Sequence, residues 1–331
     1  MTAPAVLVHV AHAGDHLADS TLEALTLARG LGEPIAVATS PPSPRALDQL
    51  ATAGIDRVIV AGLDPDRALL APAVGQVLAR AVEHVGGGAG ASVLIPASFF
   101  GKEVAAHTAH LLGAGLLIDV ADVRRTPTGL AGGKRAFAGS WVCDCETTTP
   151  LAVVTIRPNA VAARAAERPG TPVLESLAVE VDLPAGLEVI ERTVHSGSGR
   201  PDLAEATHVV AGGRGTYGDF APVEELADAL GGAVGTTRDC VEEGWISHDL
   251  QIGQTGVTIA PRVYIGAGIS GAPHHHGGMQ ASSVVIAVNI DEEAPLVQIC
   301  DFAVIGDAGS VLSEAAEVIR AHRYAEPPTG I

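Results

Sequence analysis

The sequence predicts an α/β protein made of two α/β domains in series, the first a mostly parallel sheet with an antiparallel extension, the second a doubly wound sheet. Three observations carry this. Two blocks, residues 5–112 and 208–319, alternate short apolar runs with segments whose apolar residues recur at helical spacing. Between them, residues 157–200 are dense in chain breakers, with Pro158, Pro169-Gly170, Pro172, Pro184 and the run Ser196-Gly197-Ser198-Gly199-Arg200-Pro201. At 331 residues the chain is also about twice the length of a common domain. The expected domains are residues 1–195 and 196–331. Hydrophobic residues are 47% of the chain but aromatic ones only 3%, so the core must be aliphatic, and disordered or collagen-like architectures are excluded.

In the first block, strands are expected at Ala5–Val10, Ile35–Thr39, Val58–Ala61 and Val93–Pro96, with helices over Asp19–Leu31, Pro44–Ala53, Asp66–Val85 and Lys102–Leu112. That order implies right-handed β-α-β crossovers and parallel pairing. The texture then changes to short strands joined by turns, Leu116–Val123, Leu130–Phe137, Trp141–Glu146 and Leu151–Ile156, which we read as the antiparallel extension. The second block has strands at His208–Ala211, Val263–Gly266, Val284–Val288 and Phe302–Ile305. Its helices lie near Val223–Leu230, after Gly271, and over Val311–Ile319.

Charge narrows the functional classes. Twenty Lys+Arg against 38 Asp+Glu give a net charge of −18, which repels phosphate backbones and anionic lipid, so nucleic acid is excluded as a partner. A bound anion must be held locally, by backbone amides, helix N-termini and a few arginines. Met1 to Val10 has no signal-peptide character, and no apolar run reaches the roughly 18 residues of a membrane span, so a cytoplasmic protein without membrane insertion is expected. The four cysteines (Cys143, Cys145, Cys240, Cys300) contain no C-x-x-C and read as reduced thiols.

Five segments carry chemistry. His208-Val-Val-Ala-Gly-Gly-Arg-Gly215 runs a strand into a glycine turn and then a helix, an arrangement that lets backbone N–H groups approach a phosphate, although a plain structural turn fits equally. Gly235-Thr-Thr-Arg-Asp239 offers a hydroxyl at Thr237 and a guanidinium at Arg238, for phosphate or an aromatic ring; a helix cap with a surface ion pair is the other reading. In Gln251-Ile-Gly-Gln-Thr-Gly256, Gln254 and Thr255 suit the edge of a heterocycle. Pro261 to Met279 passes from a strand through Gly268 and Ser270-Gly271 to a helix starting at Pro273, followed by His274, His275 and His276. Adjacent residues point about 100° apart on a helix, so three consecutive histidines make a poor single-metal site. Finally, Asn289 and Asp307 end two strands, where ligands of open α/β sheets sit.

These segments, in this order, resemble the α subunit of electron transfer flavoproteins. The resemblance rests on Gly-Gly-Arg-Gly, Gly-Thr-Thr-Arg, Gly-Gln-Thr-Gly, Tyr-Ile-Gly-Ala-Gly-Ile-Ser-Gly-Ala, Val-Asn with Asp-Glu-Glu-Ala-Pro, and Asp-Phe-Ala-Val-Ile-Gly-Asp. It extends to Ser98-Phe-Phe-Gly-Lys102 and Thr155-Ile-Arg-Pro-Asn-Ala160, and so covers essentially the whole chain. It implies an electron carrier rather than an enzyme, with FAD in the C-terminal domain. The N-terminal domain would pack on an electron transfer flavoprotein β subunit that holds AMP or a second FAD. Electrons would pass from flavoprotein dehydrogenases to a quinone oxidoreductase or other acceptor.

Carried over by residue, the resemblance puts Arg214 near the diphosphate or flavin, Thr237 in the phosphate-contacting place of a family serine, and Arg238 against the isoalloxazine. Thr255 would serve flavin N5, in a loop with Ile252, Gly253 and Gln254. Ser270 and the amides of Gly271, Ala272, Pro273 and His274 would bind the diphosphate. His275 would lie near flavin O2, with Asn289 and Asp307 at the adenosine end. A cation near the N1–C2=O edge favours reduced flavin, the physical sense of Arg238 and a histidine there. The chain departs from the family at Pro273-His274, where Ile-Gln is common, at Thr237 for serine, and at Ile290, where a lysine often stands. A nucleotide-dependent enzyme with a metal at His274–His276 is the competing reading.

Overall fold

The computed structural model describes residues 3–88, 90–136, 141–192 and 199–325. They form two compact units, one from residues 3–136 and 141–192, the other from residues 199–325. Both are α/β, as expected. The serine–glycine run at 196–198, the expected boundary at 195 and the last residue of the expected strand Leu130–Phe137 lie outside the described residues.

The first unit runs β1 (Ala5–His9), α1 (Asp19–Leu31), β2 (Glu33–Ala38), α2 (Pro44–Thr52), β3 (Arg57–Val60), α3 (Ala71–His84), β4 (Ser92–Pro96), α4 (Phe99–Leu112), β5 (Gly115–Val120), β6 (Leu130–Ala136), β7 (Trp141–Glu146), β8 (Ala152–Ile156) and β9 (Val173–Ser176). These strands lie in the order β7-β6-β5-β8-β4-β1-β2-β3-β9. Local chemistry sets the helix starts. The Ser43 side chain accepts from the Ala46 N–H ahead of Pro44, and Ser98 accepts from the Gly101 N–H, so α4 begins three residues before the expected Lys102. Aliphatic clusters cover both faces of the sheet, Val6, Leu25 and Val154 on one, Leu7, Val77 and Val153 on the other.

The antiparallel extension is smaller than expected. Among the described strands of this sheet, antiparallel pairing is confined to β6 and its partners: β7, the short Arg124–Arg125 strand and the end of β5. Leu151–Ile156 is corrected: as β8 it pairs parallel with both β4 and β5. The physical reason is burial, since every residue of β8 is buried, which is the pattern of a strand covered on two faces.

The second unit continues β10 (His208–Gly212), α5 (Ala221–Leu230), β11 (Ala233–Thr236), α6 (Arg238–Glu242), β12 (Val263–Ala267), α7 (Pro273–Met279), β13 (Val284–Asn289), α8 (Pro295–Ile299), β14 (Phe302–Ile305) and α9 (Ala308–Ala325). These five strands all pair parallel, in the order β11-β10-β12-β13-β14. Counted along the unit this is the 2-1-3-4-5 doubly wound order, whose crevice lies between the first and third strands. One face is packed by Val223 and Leu226 of α5 and Leu312 of α9, the other by Met279 of α7 and Leu296 of α8. Neither β11 nor α8 is evident in the sequence pattern.

Candidate functional site

Where β10 and β12 end, the backbone turns on glycine on both sides. Gly213 N–H donates to Ala267 O at 2.9 Å and Gly215 N–H to Gly268 O at 3.0 Å, which ties the two turns together. Gly268 sits at φ +63°, and a Cβ there would lie 2.6 Å from the Gly215 Cα; a Cβ on Gly213 would lie 2.4 Å from Gly268 O. Side chains are thus excluded where the switch-point crevice opens. The result is a cavity of about 550 Å³, bounded by these turns, the start of α6, the 251–255 loop, the start of α7 and the end of β13.

Thirteen of the fifteen residues singled out from the sequence line it: Arg214, Thr237, Arg238, Ile252, Gly253, Gln254, Thr255, Ser270, Gly271, Ala272, His274, His275 and Asn289. Pro273, the first residue of α7, and Asp307 do not. Asp307 lies on a neighbouring hollow of about 170 Å³ that shares Gly215 with the cavity. Its carboxylate accepts from the Ser310 N–H and hydroxyl at 2.9 Å, and both bonds hold its pKa below the usual carboxylate value. Asn289 is buried, and its Nδ2 donates to Ile269 O at 3.0 Å, linking β13 to the β12 turn.

Two residues of the site, Glu242 and Gln251, escape sequence reasoning, and Asp239 enters it only as half of a surface ion pair. Asp239 and Glu242, both on α6, hold the two cations: Arg214 Nε lies 3.1 Å from Asp239 Oδ2, and Arg238 Nε 2.6 Å from Glu242 Oε1. Buried Gln251 donates from Nε2 to Thr255 Oγ1 at 2.9 Å, leaving the exposed Thr255 hydroxyl proton for another acceptor. The i, i+4 spacing of Arg238 and Glu242 is the available signal; Gln251 gives none.

The three histidines differ sharply. His274 is exposed on the cavity wall, and its carbonyl accepts from the Gln254 N–H at 3.1 Å. His275 is buried, with Nδ1 3.1 Å from Ile252 O and Nε2 2.7 Å from the Tyr264 hydroxyl. A carbonyl only accepts, so Nδ1 carries the proton, Nε2 accepts from Tyr264, and the ring has no N–H left for the cavity. Burial pushes its pKa down to about 4, His276 adds to this, and the Ile252 carbonyl opposes it. His276 does not line the cavity. Among the described residues no group of three or more His, Cys, Asp or Glu is placed to hold a metal.

A donor set of backbone turns, two arginines and hydroxyls, around a crevice whose glycine turns admit no side chain, fits a dinucleotide. Comparison with known proteins agrees with that chemistry. Residues 6–182 match the electron transfer flavoprotein domain, and residues 202–280 match the electron transfer flavoprotein FAD-binding domain. The chain is 42% identical to the electron transfer flavoprotein subunit alpha of Mycobacterium leprae, over 96% of this chain and 98% of that one.

The chain belongs to the electron transfer flavoprotein α-subunit family.

The α subunit of Pseudomonas aeruginosa is 33% identical, covering 95% of this chain and all of that one, and the Bacillus subtilis α subunit is 33% identical, covering 89% and 91%. As an electron transfer flavoprotein α subunit the chain is an electron carrier rather than an enzyme, and the family form is a heterodimer with a β subunit. The competing metal-dependent enzyme finds no support. The FAD-binding match spans the turn at Gly213–Gly215, the start of α6, the 251–255 loop and all of α7, the stretches that bound the cavity apart from the end of β13. No described helix is long and apolar enough to cross a membrane.

Proposed function

We propose that the cavity at the ends of β10 and β12 holds FAD, with the diphosphate resting on the joined Gly213–Gly215 and Gly268–Gly271 turns. The observation that carries this reading is the backbone-to-backbone closure of those turns, which uses the Gly213 and Gly215 N–H groups and leaves the backbone of residues 270–272 and the Ser270 hydroxyl to meet an anion there. Thr237 and Arg214 flank the diphosphate. Arg238 and Thr255 attend the isoalloxazine, with Gln251 holding the Thr255 hydroxyl in place. The adenosine runs past Asn289 towards Asp307, across Gly215, which borders both hollows. Bound FAD supplies reversible electron uptake; the chain supplies orientation and charge. Arg238 exchanges its contact with Glu242 for the ligand, and its charge favours reduced flavin.

In this reading residues 1–195 pack on the β subunit, which carries AMP or a second FAD, and the complex works in the cytoplasm between flavoprotein dehydrogenases and a quinone oxidoreductase. The test is to co-express the chain with its β subunit and measure the visible spectrum and the nucleotide released on denaturation. A yellow complex releasing FAD is expected; a colourless complex that releases none refutes the reading.

A further inference from the structure

The most completely buried polar contact of the site lies behind the cavity wall. Tyr264 on β12 is fully buried and is the largest such side chain among the described residues. Its hydroxyl reaches His275 Nε2 at 2.7 Å, and the other ring nitrogen reaches Ile252 O at 3.1 Å, so one imidazole ties β12 to the 251–257 loop through α7. Two glycines make the arrangement possible. A Cβ on Gly266 would lie 2.9 Å from Tyr264 Cε1 and 3.0 Å from its hydroxyl oxygen, so only glycine leaves the lane in which the phenol lies along its strand. A Cβ on Gly278 would lie 2.4 Å from the Gly253 nitrogen, so α7 and the loop meet backbone to backbone. The loop carries Gln254 and Thr255 to the cavity.

We propose that Tyr264 is a positioning residue of the cofactor pocket: the Ile252 carbonyl sets the Nδ1–H tautomer of His275, and the Tyr264 hydroxyl, by donating to Nε2, locks the orientation of that ring and with it the loop bearing Thr255. This deepens the FAD reading and rests on it for the role of the loop. In it His275 acts as a clamp between β12 and the loop. The titratable groups facing the ring are Tyr264 from β12 and His276 from its own helix, while the loop presents the Ile252 carbonyl. Burial drives the phenol upward and the imidazole downward, so each stays neutral and keeps its direction of donation across the physiological range.

The test uses the α/β complex with isotope-labelled histidine, read by ring nitrogen NMR with the flavin bound and again after its removal. Wild-type His275 should show a protonated Nδ1 and a bare Nε2, unchanged from about pH 8 to about pH 5. Tyr264→Phe should shift the Nε2 signal, speed amide exchange at Gly253–Thr255 and raise FAD dissociation several-fold. Gly266→Ala, which closes the lane, should shift the same signals. A protonated Nε2 or a titration near neutrality in the wild type overturns the proposal, as does an unchanged ring spectrum in Tyr264→Phe. The ring is read without flavin too, so failure of the FAD reading and failure of the clamp are separate results.

Discussion

At the carboxyl ends of its parallel strands the first unit places side chains where the second places glycines. Behind β5 and β8, Arg157 reaches back to Asp119 with Nη2 at 3.0 Å from both the carboxylate Oδ2 and the main-chain carbonyl, and Lys102 approaches the other carboxylate oxygen at 3.7 Å. Asp119 adopts φ +61°, a strained conformation for a residue with a Cβ, which these contacts hold in place. The Arg157 side chain is only 8% exposed, so that edge is filled by an ion pair. Behind β10 and β12, Gly213, Gly215 and Gly268 interlock and leave about 550 Å³ open. Two sheets built around parallel strands therefore differ in function through the residues just past each strand: charge pairing closes one edge, and missing side chains open the other.

The largest expected effect comes from filling the open edge. Gly268→Val adds left-handed strain and overlap with Gly215, roughly 3–6 kcal/mol together, and flavin content of the purified complex should collapse. Flavin retained at the wild-type ratio would show that the interlocked glycines do not shape the site. Emptying the closed edge should act on stability alone. Arg157→Met leaves Lys102 as the remaining cation at the partly exposed Asp119 carboxylate and should cost about 1–3 kcal/mol in denaturant unfolding, with flavin affinity unchanged.

Acid should act on both units alike. His9 in the first and His275 in the second are each pushed down to about 4 by burial. A histidine held neutral in the fold contributes stability that is complete above its unfolded value of about 6.5 and is lost as pH falls towards the folded value. Stability should therefore decline between about pH 6.5 and about pH 4, by on the order of 1–3 kcal/mol for each ring, and His275→Gln should flatten the second unit's share in a pH series of denaturant melts. The smallest effect is expected at Arg238→Ala. Its partner Glu242 is exposed, so stability should change by less than about 0.5 kcal/mol, while FAD affinity falls about tenfold by fluorescence titration.

Much of this contrast is legible in the sequence. Breaks in apolar periodicity locate all but one strand of the second sheet, and glycine turns locate the cavity, because both are local signals. β11 escapes because Ala233–Thr236 is four residues long and contains a glycine, too short to display a period. The direction of β8 is not legible because a continuous apolar run says that a strand is covered, not which way it runs. Asp239 and Glu242 pair with cations identified from the motif, but carboxylates on a short helix look like any solvated face. The Tyr264–His275 contact joins residues eleven apart across a strand-to-helix turn, and only the fold brings them together.

That FAD sits at the glycine-bound edge of the second sheet is tested most directly by a crystal structure of the α/β complex with its flavin. The diphosphate is expected on the joined Gly213–Gly215 and Gly268–Gly271 turns, with Arg238 drawn away from Glu242 and His275 still joined to Tyr264. FAD lodged elsewhere, with those two turns empty, would contradict it.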